Sequence, residues 1–511
     1  MLSHKIPYQR INNFSKLVLD YLNHDEKLTP FINHFPEIEN FAKQILEKKD
    51  HIVDRNLLVD VLKRQNSSLT LSKKTKDNID LLASDNSFTV VTGHQLCLFT
   101  GPLYFIYKII STIKLCEQLA KKYSANNFIP VFWMASEDHD LQEVNHIHLF
   151  GKKIKWKSTL NGPVGKISLD GIQNTILELK SSLGSHPNAS KLLSLFEQSY
   201  IGHNNLTDAT RFLINELFSD YGLVIIDPDD KDLKRKFIPQ IKKDILQRGF
   251  VSKIKDCSNS LAKNYKAQAF VRDINFFKLS RNKRELIVGD ISCKEIEEYP
   301  HIFSPNVLLR PLYQEVILPN IAYVGGGAEI SYWMQLKSTF VQEKIPFPIL
   351  ILRNSALLVN EQQEFRIDKL GFALEDIFLS IDKLNKKYIF NNNLISNISL
   401  EHEKNNLNLL YQSILSKVSD VSFQNSIKAQ LNKQIAFFDA IEEKTIRLEK
   451  KKNKAAIRQI QKIKNTLFPY NSLQERYDNF IPYYLNYGDN LFKILKNNFD
   501  PLHPNFVILR I

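Results

Sequence analysis

The chain has 511 residues, of which 43% are hydrophobic and 24% are charged, and its formal net charge is +13. This composition is typical of a soluble globular protein, and the length favours two to four domains over a single core. No apolar run is long enough to cross a bilayer and the N-terminus has no signal-peptide core, so we expect a cytoplasmic protein with no membrane partner. The four cysteines form no Cys-x-x-Cys pair, which argues against a zinc ribbon or a disulfide framework.

The first part of the chain leads from helices into a strand and a glycine-containing loop. Residues 1–85 carry apolar side chains at helical spacing and no catalytic pattern, so we expect helices packed on the core. A strand over 88–92 is followed by a loop and a helix. Thr92, Gly93 and Gly101 are candidates for a phosphate or carboxylate site, since glycines let the backbone approach a ligand and a helix N-terminus favours anions. The loop is not a Walker motif, and an ordinary strand–helix turn is the alternative.

The second predicted strand, 128–134, is apolar without alternation, which suits a strand buried on both faces of a parallel sheet. A dense polar cluster follows it directly: Glu137, Asp138, His139, Asp140, Glu143, Asn145, His146 and His148. In open α/β sheets ligands bind beyond the carboxyl ends of the strands, and this cluster falls at such an end. Burying so many polar groups is costly unless they bond one another, a ligand or a metal. The alternative is a solvated acidic loop.

Three further apolar strands end in polar or glycine-rich turns, and they cover residues 223–227, 321–324 and 348–353. Gly326 stands in a run of three glycines that opens a helix, where backbone N–H groups favour an anion. Glu329, in the first turn of that helix, either caps it or meets a substrate amine. Arg353 ends the last strand and is a good partner for a carboxylate or phosphate.

Five short apolar strands separated mostly by helices predict an α/β fold with a doubly wound parallel sheet. This core covers residues 86–370, with inserts at about 151–215 and 231–311. Within the second insert, 275–289 is typical of two short strands around a polar turn. Its segment 278–283 superficially resembles the phosphate-binding lysine loop of class I aminoacyl-tRNA synthetases, and the hairpin is the simpler interpretation.

The C-terminal part of the chain has a different character. Residues 372–468 contain no Gly or Pro, and 421–468 carry eleven Lys or Arg against four Asp or Glu. Apolar side chains three or four residues apart predict a long amphipathic helix in which this spacing is interrupted once. We expect the helix to form part of a helical hairpin or coiled coil. We expect a helical domain over 371–470 and a tail, 471–511, that returns to the core. The apolar stripe of the helix requires a partner surface, and a homodimer would supply it.

Five motifs carry a resemblance to a known family: 92–104 with Lys108, 130–146, 325–336, 352–355 and 473–476. Over essentially the whole chain the sequence resembles the cysteine ligases of bacillithiol biosynthesis. The resemblance implies a Rossmann-like core with connecting-peptide inserts, and a C-terminal coiled-coil domain that dimerises. It also implies the addition of cysteine to glucosamine-malate, driven by ATP. The family usually has Gln at the position of His94 and His at the position of Tyr107, so family roles do not transfer directly to the first loop.

Under this resemblance the polar cluster is the expected reaction centre, with catalytic candidates Glu137, Asp138, His139, Asp140 and His146. His139 or His146 is the expected general base, because imidazole titrates near neutral pH, and His139 is expected to matter most because two carboxylates flank it in the sequence. The alternative makes His139 a structural hydrogen-bond hub that holds neighbouring loops together. The substrate-binding candidates are Gln95, Asn145, Glu329 and Arg353. The nucleotide candidates, for ATP or ADP, are Thr92, Gly93, Gly101, Gly326, Arg476 and Tyr484. Arg476 would meet a phosphate, and Tyr483, Tyr484 or Tyr487 would stack on a base; the alternative is that these aromatics pack the tail against the core.

Two other functions are compatible with parts of this pattern. The first is a metal-dependent hydrolase that uses Asp138, His139, His146 and His148 as ligands. The second is an RNA-binding module built on a synthetase-like fold and the basic helix, although the sequence shows no RNP-type aromatic motif. The ligase interpretation predicts neither a metal site nor a nucleic-acid partner.

Overall fold

The computed structural model describes residues 3–158, 160–280, 282–391 and 399–511. By their contacts these residues form two compact units. The first consists of 3–357 with 474–507, and the second of 358–473 with 508–511. The sequence predicts a boundary near residue 370, and the units divide after Leu357.

A five-stranded sheet forms the centre of the first unit. Its strands are β1 (Ser87–His94), β2 (Asn127–Met134), β3 (Val224–Ile226), β4 (Asn320–Gly325) and β5 (Ile349–Leu352). Their order is β5-β4-β1-β2-β3, and every neighbouring pair is parallel. All five predicted strands are present, so the doubly wound α/β prediction is confirmed. The chain moves from β1 to β3 on one side and returns to β4 and β5 on the other, which makes the β1–β4 crevice the expected ligand site.

The strands form because their residues are apolar and the sheet is covered on both faces. Every residue of β1 and of β4 is buried. Phe88, Val324 and Ile351 share one core cluster with Leu115 of the following helix and Phe41 of an N-terminal helix. Burial of each such side chain contributes about 1.5–3 kcal/mol, which fixes the sheet between its two helical layers.

Helices surround this sheet on both faces. Those of the first unit are Lys16–Leu22, Asn40–Lys49, Arg55–Gln65, Lys73–Leu81, Tyr104–Lys122, Leu141–Val144, Ile172–Leu183, Ala189–Tyr200, Leu206–Phe218, Lys231–Arg235, Ile238–Ile245, Val251–Ala262, Cys293–Glu298, Arg310–Ile317, Gly327–Met334, Lys337–Glu343, Ile481–Tyr487 and Asn490–Asn498. The N-terminal helices were predicted, whereas the strand Ser3–Ile6 was not. A fully buried ion pair, 3.2 Å between Nζ of Lys48 and Oε2 of Glu315, joins an N-terminal helix to the core.

Two small antiparallel sheets arise from the inserts. The strands His146–Leu149 and Lys152–Lys155 form one hairpin. In the second insert Phe276–Ser280 pairs with Lys283–Leu286 and with Phe303–Pro305. The predicted pair of short strands around a polar turn is therefore correct, and its turn residue Arg281 lies outside the described residues.

The second unit is mainly helical, with Glu361–Lys369, Ile381–Asn391, Glu401–Leu415, Val421–Lys452 and Lys454–Leu467. The predicted long helix is present, and the interruption in its apolar spacing corresponds to a break at Asn453. It forms a hairpin with the preceding helix, where Nζ of Lys404 lies 2.6 Å from Asp439 and 2.8 Å from Glu442. Residues 392–398 of the predicted helical domain lie outside the described residues.

The remaining elements are short. The 3₁₀ turns are Tyr8–Arg10, Glu26–Phe31, Leu98–Thr100, Val164–Lys166, Ser219–Tyr221, Pro300–Ile302, Leu374–Phe378, Pro469–Asn471 and Gln474–Arg476, and the other strands are Ser355–Val359 and Phe506–Arg510. Throughout the part of the chain that the structure describes, no helix has both the length and the apolar character that a bilayer crossing requires.

Candidate active site

A cavity of about 470 Å³ opens at the carboxyl ends of β1 and β4, where the strand order reverses. Eight of the predicted site residues line it: Gly93, Gln95, Glu137, Asp138, Gly326, Glu329, Arg353 and Arg476. The sequence did not single out several other lining residues, among them Tyr104, Trp133, Arg284, Arg310, Tyr323 and Tyr332. Seven predicted residues do not line it: Thr92, Gly101, His139, Asp140, Asn145, His146 and Tyr484.

An ion pair between a buried lysine and a partly exposed glutamate crosses the wall of the cavity between β1 and β4. Nζ of Lys108 lies 2.6 Å from Oε2 of Glu329 and donates to the Gly93 carbonyl at 2.6 Å. Burial lowers the pKa of Lys108, and Glu329 opposes that shift. Burial also raises the pKa of Glu329, but Lys108 and a backbone N–H outweigh it, so the net direction is down. The two groups therefore stabilise each other in their charged forms.

Glu329 is also the cap of the helix Gly327–Met334. Its Oε2 accepts from the Gly326 N–H at 2.8 Å, and its Oε1 accepts from the Tyr323 hydroxyl at 2.6 Å. Of the two roles open at the sequence level, the structure contains the helix cap. A substrate amine would have to share these oxygens.

The glycine run is needed for packing at two of its three positions. A Cβ at Gly325 would lie 2.9 Å from the Tyr323 ring, and one at Gly327 would lie 2.9 Å from Val18. At Gly326 the nearest atom would be 3.5 Å away, an ordinary contact, and this residue faces the cavity. The first helical turn, at Gly327 and Ala328, also lines the cavity, where the positive end of the helix favours an anion.

Glu137 is a buried carboxylate in the same cavity. Its Oε1 lies 2.5 Å from Nζ of Lys234, which is fully buried and also donates to the Phe303 carbonyl at 2.7 Å. Burial raises the pKa of Glu137, and Lys234 opposes the rise without cancelling it. The ion pair occupies only Oε1, so the other carboxylate oxygen is available for a proton.

Asp138 is held by the loop in which it lies. Its Oδ1 accepts from the His139 N–H at 2.6 Å, and its Oδ2 accepts from Nε2 of Gln95 at 2.7 Å. The same Gln95 amide donates to Glu143 at 2.9 Å. Gln95 thus connects the first loop to the polar cluster, which the sequence could not show.

His139 lies beside the cavity and half of its side chain is exposed. Nη1 of Arg284 is 3.3 Å from Nδ1 of His139, which makes this nitrogen the hydrogen-bond acceptor. Asp138 lies 3.6 Å from the same atom, but the Asp140 carboxylate caps the short helix Leu141–Val144 by accepting from the Glu143 N–H. Of the two carboxylates that flank His139 in the sequence, Asp138 lies beside the imidazole and Asp140 serves as a helix cap.

The other residues of the polar cluster lie in or next to the hairpin of His146–Leu149 and Lys152–Lys155. Burial and the nearby Lys153 lower the pKa of His146. The His148 ring stacks on Tyr477 with 4.0 Å between centroids. Asn145 is buried and its carbonyl accepts from the Trp156 N–H at 2.8 Å. Among the described residues no group of three or more His, Cys, Asp or Glu is arranged to hold a metal ion, so the hydrolase alternative gains no support.

The first loop is held by hydrogen bonds to β4 and to the C-terminal segment as well as by its own packing. The Thr92 hydroxyl donates to the Val324 carbonyl at 2.8 Å, between β1 and β4. Gly101 has a φ of +64°, and a Cβ there would lie 2.7 Å from Cβ of Cys97. At the helix start, the Leu103 N–H donates to the Asp478 carbonyl at 2.7 Å. These contacts fit the ordinary strand–helix turn that was the alternative to a phosphate loop.

The two predicted arginines differ in their surroundings. Nη2 of Arg353 lies 2.7 Å from Oε1 of the fully buried Glu475, so its charge is compensated within the protein. Arg476 is exposed and lines the cavity. Tyr484 is buried beside Phe492 and donates to Asp489 at 2.6 Å, away from the cavity.

The two positions that depart from the resembling family are both buried. His94 lines the cavity, and burial together with the charge of Lys108 lowers the pKa of its imidazole to about 3. It is therefore neutral at physiological pH. Tyr107 packs against Phe499 at 5.2 Å between centroids and does not line the cavity.

Comparison with known proteins identifies the family of this chain. The family model "Bacillithiol biosynthesis BshC, N-terminal Rossmann-like domain" matches residues 1–354, and "Bacillithiol biosynthesis BshC, C-terminal coiled-coil domain" matches 356–511. The chain belongs to the BshC family. The resemblance and its Rossmann-like and coiled-coil domains are thereby confirmed.

Curated relatives of the BshC family match over nearly the full length. Proteins of Flavobacterium johnsoniae and Flavobacterium psychrophilum are each 42% identical, and the alignments cover 99% of this chain and 99% of each relative. A protein of Christiangramia forsetii is also 42% identical, over 99% of this chain and 98% of its own. All three bear the name "Putative cysteine ligase BshC".

Proposed function

We propose that the protein is a ligase that joins the carboxylate of cysteine to the amine of glucosamine-malate, the last step of bacillithiol biosynthesis. The names of the BshC relatives support the substrate cysteine. The observation that carries the proposal is a buried carboxylate of raised pKa, Glu137, in a cavity that also exposes arginine side chains. An amide-forming site needs a base for the amine and positive charge for the carboxylates and phosphates of its substrates.

Glu137 is the proposed general base. The amine lone pair forms the new C–N bond to the activated cysteine carbonyl, the acyl–oxygen bond to the leaving group breaks, and the amine proton passes to Glu137. A carboxylate with a raised pKa is a better proton acceptor at neutral pH than an ordinary one. The ion pair with Lys234 fixes the position of the base.

His139 has a supporting part in this proposal. It does not line the cavity, but its Nδ1 accepts from Arg284, which does. Nε of Arg284 also donates to the Ser304 hydroxyl at 3.1 Å and Nη2 to the Pro305 carbonyl at 2.9 Å. We infer that His139 is a positioning residue that holds this arginine against the cavity.

A nucleoside triphosphate, ATP, is the proposed source of activation, because a carboxylate does not react with an amine unaided. The start of the helix Gly327–Met334 and the exposed Arg476 are the groups that would hold its phosphates. The first loop is a weaker candidate, since Leu103 at its helix start already donates to Asp478. Activation supplies the leaving group, and the residues of the cavity orient the reactants.

We also propose that the protein is a homodimer through its helical unit. Four apolar side chains on one side of the helix Val421–Lys452 are 38–60% exposed: Phe423, Phe437, Ile441 and Leu448. Their spacing puts them in a single stripe along the helix. A second copy of the helix is the proposed partner, because apolar stripes of this kind pair in coiled coils.

The proposal is tested with purified protein, cysteine, glucosamine-malate and ATP, with mass spectrometry as the detector of the thiol product. We expect product whose formation needs ATP and consumes it in proportion. Product without ATP would contradict the nucleotide part, and the absence of product in the complete mixture would contradict the ligase assignment.

A further inference from the structure

Arg310 lines the cavity, and its contacts within the protein do not use the full hydrogen-bonding capacity of its guanidinium. It opens the helix Arg310–Ile317, and its guanidinium carbon lies among three aromatic rings, at 5.3 Å from the centroid of Tyr323, 5.6 Å from Trp133 and 5.8 Å from Trp333. Aromatic faces on several sides fix a planar guanidinium and keep water from it. The orientation of Arg310 is thus set before any ligand arrives.

Only part of the hydrogen-bonding capacity of this guanidinium is used. Its Nη1 donates to Oε1 of Gln314 at 3.0 Å. Its Nη2 is buried from solvent and meets no acceptor in good hydrogen-bond geometry among the described residues, although the guanidinium also interacts with the Tyr332 hydroxyl. A buried charged donor without an acceptor is unfavourable, so its retention in a cavity wall indicates that a ligand supplies the acceptor.

Arg310 also has no carboxylate within ion-pair distance among the described residues, in contrast to Lys108 and Arg353 of the same cavity. Lys108 pairs with Glu329 and Arg353 pairs with Glu475. No ion pair between described residues involves Arg310. Arg310 is therefore a pre-oriented cation without a direct ion pair, in a cavity whose wall also includes the positive end of a helix.

We propose that Arg310, rather than Arg353, binds a carboxylate of the acceptor substrate. This inference rests on the proposed function for the identity of the acceptor, whose malate part carries two carboxylates. A guanidinium fork matches the two oxygens of a carboxylate, and its fixed plane selects that geometry over a single point contact. A phosphate of the nucleotide would suit the same donor, and the experiment separates the two sources.

The test is calorimetric binding of free L-malate and, separately, of ATP to the full-length protein and its variants. Arg310→Gln should weaken malate binding at least tenfold and leave ATP binding unchanged. The matched control is Arg235→Gln, an exposed arginine that pairs with Asp232, and it should bind both probes like the wild type. Arg310→Lys keeps the charge without the fork and should give an intermediate loss, which keeps the test valid if Arg310→Gln does not fold.

The same variants are then assayed for ligation. Arg310→Gln should raise the KM for the acceptor at least tenfold and leave the KM for cysteine unchanged. Malate affinity equal to that of the wild type in the folded Arg310 variants, or a loss confined to ATP, would overturn the inference. If the wild type binds malate through Arg310 but forms no product, the ligase proposal fails and the carboxylate site stands.

Discussion

At the scale of single residues, the charged groups of the cavity wall depend on partners that are remote in the sequence. Lys108 and Glu329 are 221 positions apart by their numbers, and their atoms lie 2.6 Å from each other. The buried Lys108 ammonium depends on this partner, because its desolvation would cost several kcal/mol without a counter-charge. The pair therefore links the ends of β1 and β4 as well as lining the site.

We predict that Lys108→Met destabilises the protein by about 1–3 kcal/mol, because it leaves the partly buried Glu329 carboxylate without its cation. Urea unfolding monitored by circular dichroism gives the free energy of unfolding. Lys121→Met, at an exposed position of the same helix, is the control and should change it by less than about 0.5 kcal/mol. An equally small effect for Lys108→Met would show that the pair does not stabilise the fold.

His94 gives a prediction about pH. Its folded-state pKa is about 3, against an ordinary value of 6.5. Between these values the unfolded chain binds a proton that the folded chain does not, so stability falls as the pH falls through this range. From pH 7 to pH 4.5 the wild type should lose roughly 2–3 kcal/mol more than His94→Gln, which carries the residue usual in the family. The exposed His503→Gln is the control. Parallel pH profiles for the wild type and His94→Gln would contradict the burial argument.

At the scale of elements, the turns that follow the strands differ in how much they leave open to a ligand. In the turn after β1 the helix start is packed, since Gly101 lies against Cys97 and the Leu103 N–H donates to Asp478, whereas Gly93 and Gln95 earlier in the turn line the cavity. The glycine turn after β4 is closed by packing at Gly325 and Gly327 but faces the cavity at Gly326. Both turns contain glycines ahead of a helix, so the sequence could not distinguish the packed glycines from those that face the cavity.

The long helix of the second unit gives a prediction about assembly. Phe437 and Ile441 are exposed, whereas Ile435 and Phe438 are half-buried, so substitutions at the first two test association with less risk to the fold. The double variant Phe437→Glu/Ile441→Glu should be monomeric by light scattering if the stripe is the dimer contact.

The control for this prediction carries the same added charge on another side of the helix. Asn425→Glu/Asn432→Glu changes two exposed polar positions and should leave the dimer intact. If the Phe437→Glu/Ile441→Glu protein is dimeric, or if the control is monomeric, the dimer contact lies elsewhere than the stripe.

At the scale of the whole molecule, the sequence predicted the architecture well because its signals are local. Apolar runs gave all five strands of the central sheet, and the absence of Gly and Pro over 372–468 gave the helical unit. The carboxyl ends of parallel strands meet at one edge, so Glu137, Asp138 and Gly326 could be expected at one cavity.

The details of the site could not be predicted, because they depend on contacts between distant segments. His139 is adjacent to Asp138 in the sequence, yet only Asp138 lines the cavity. Arg310 and Arg284 reach the cavity from the second insert and its end, with no motif to mark them. Arg353 is a reasonable carboxylate partner from its place in the sequence, but Glu475, 122 positions away, neutralises it in the structure.

The most direct test of the account is the rate of thiol product formation by Glu137→Gln and His139→Asn, compared with the wild type under saturating substrates. Both variants are first checked for cooperative thermal unfolding, because Glu137→Gln removes the counter-charge of Lys234. We expect Glu137→Gln to lower kcat by about 10²–10⁴-fold, the usual contribution of a general base. His139→Asn should lower kcat by less than about tenfold, as a positioning residue outside the cavity. A folded Glu137→Gln protein with wild-type kcat, or a larger loss for His139→Asn than for Glu137→Gln, would contradict the account.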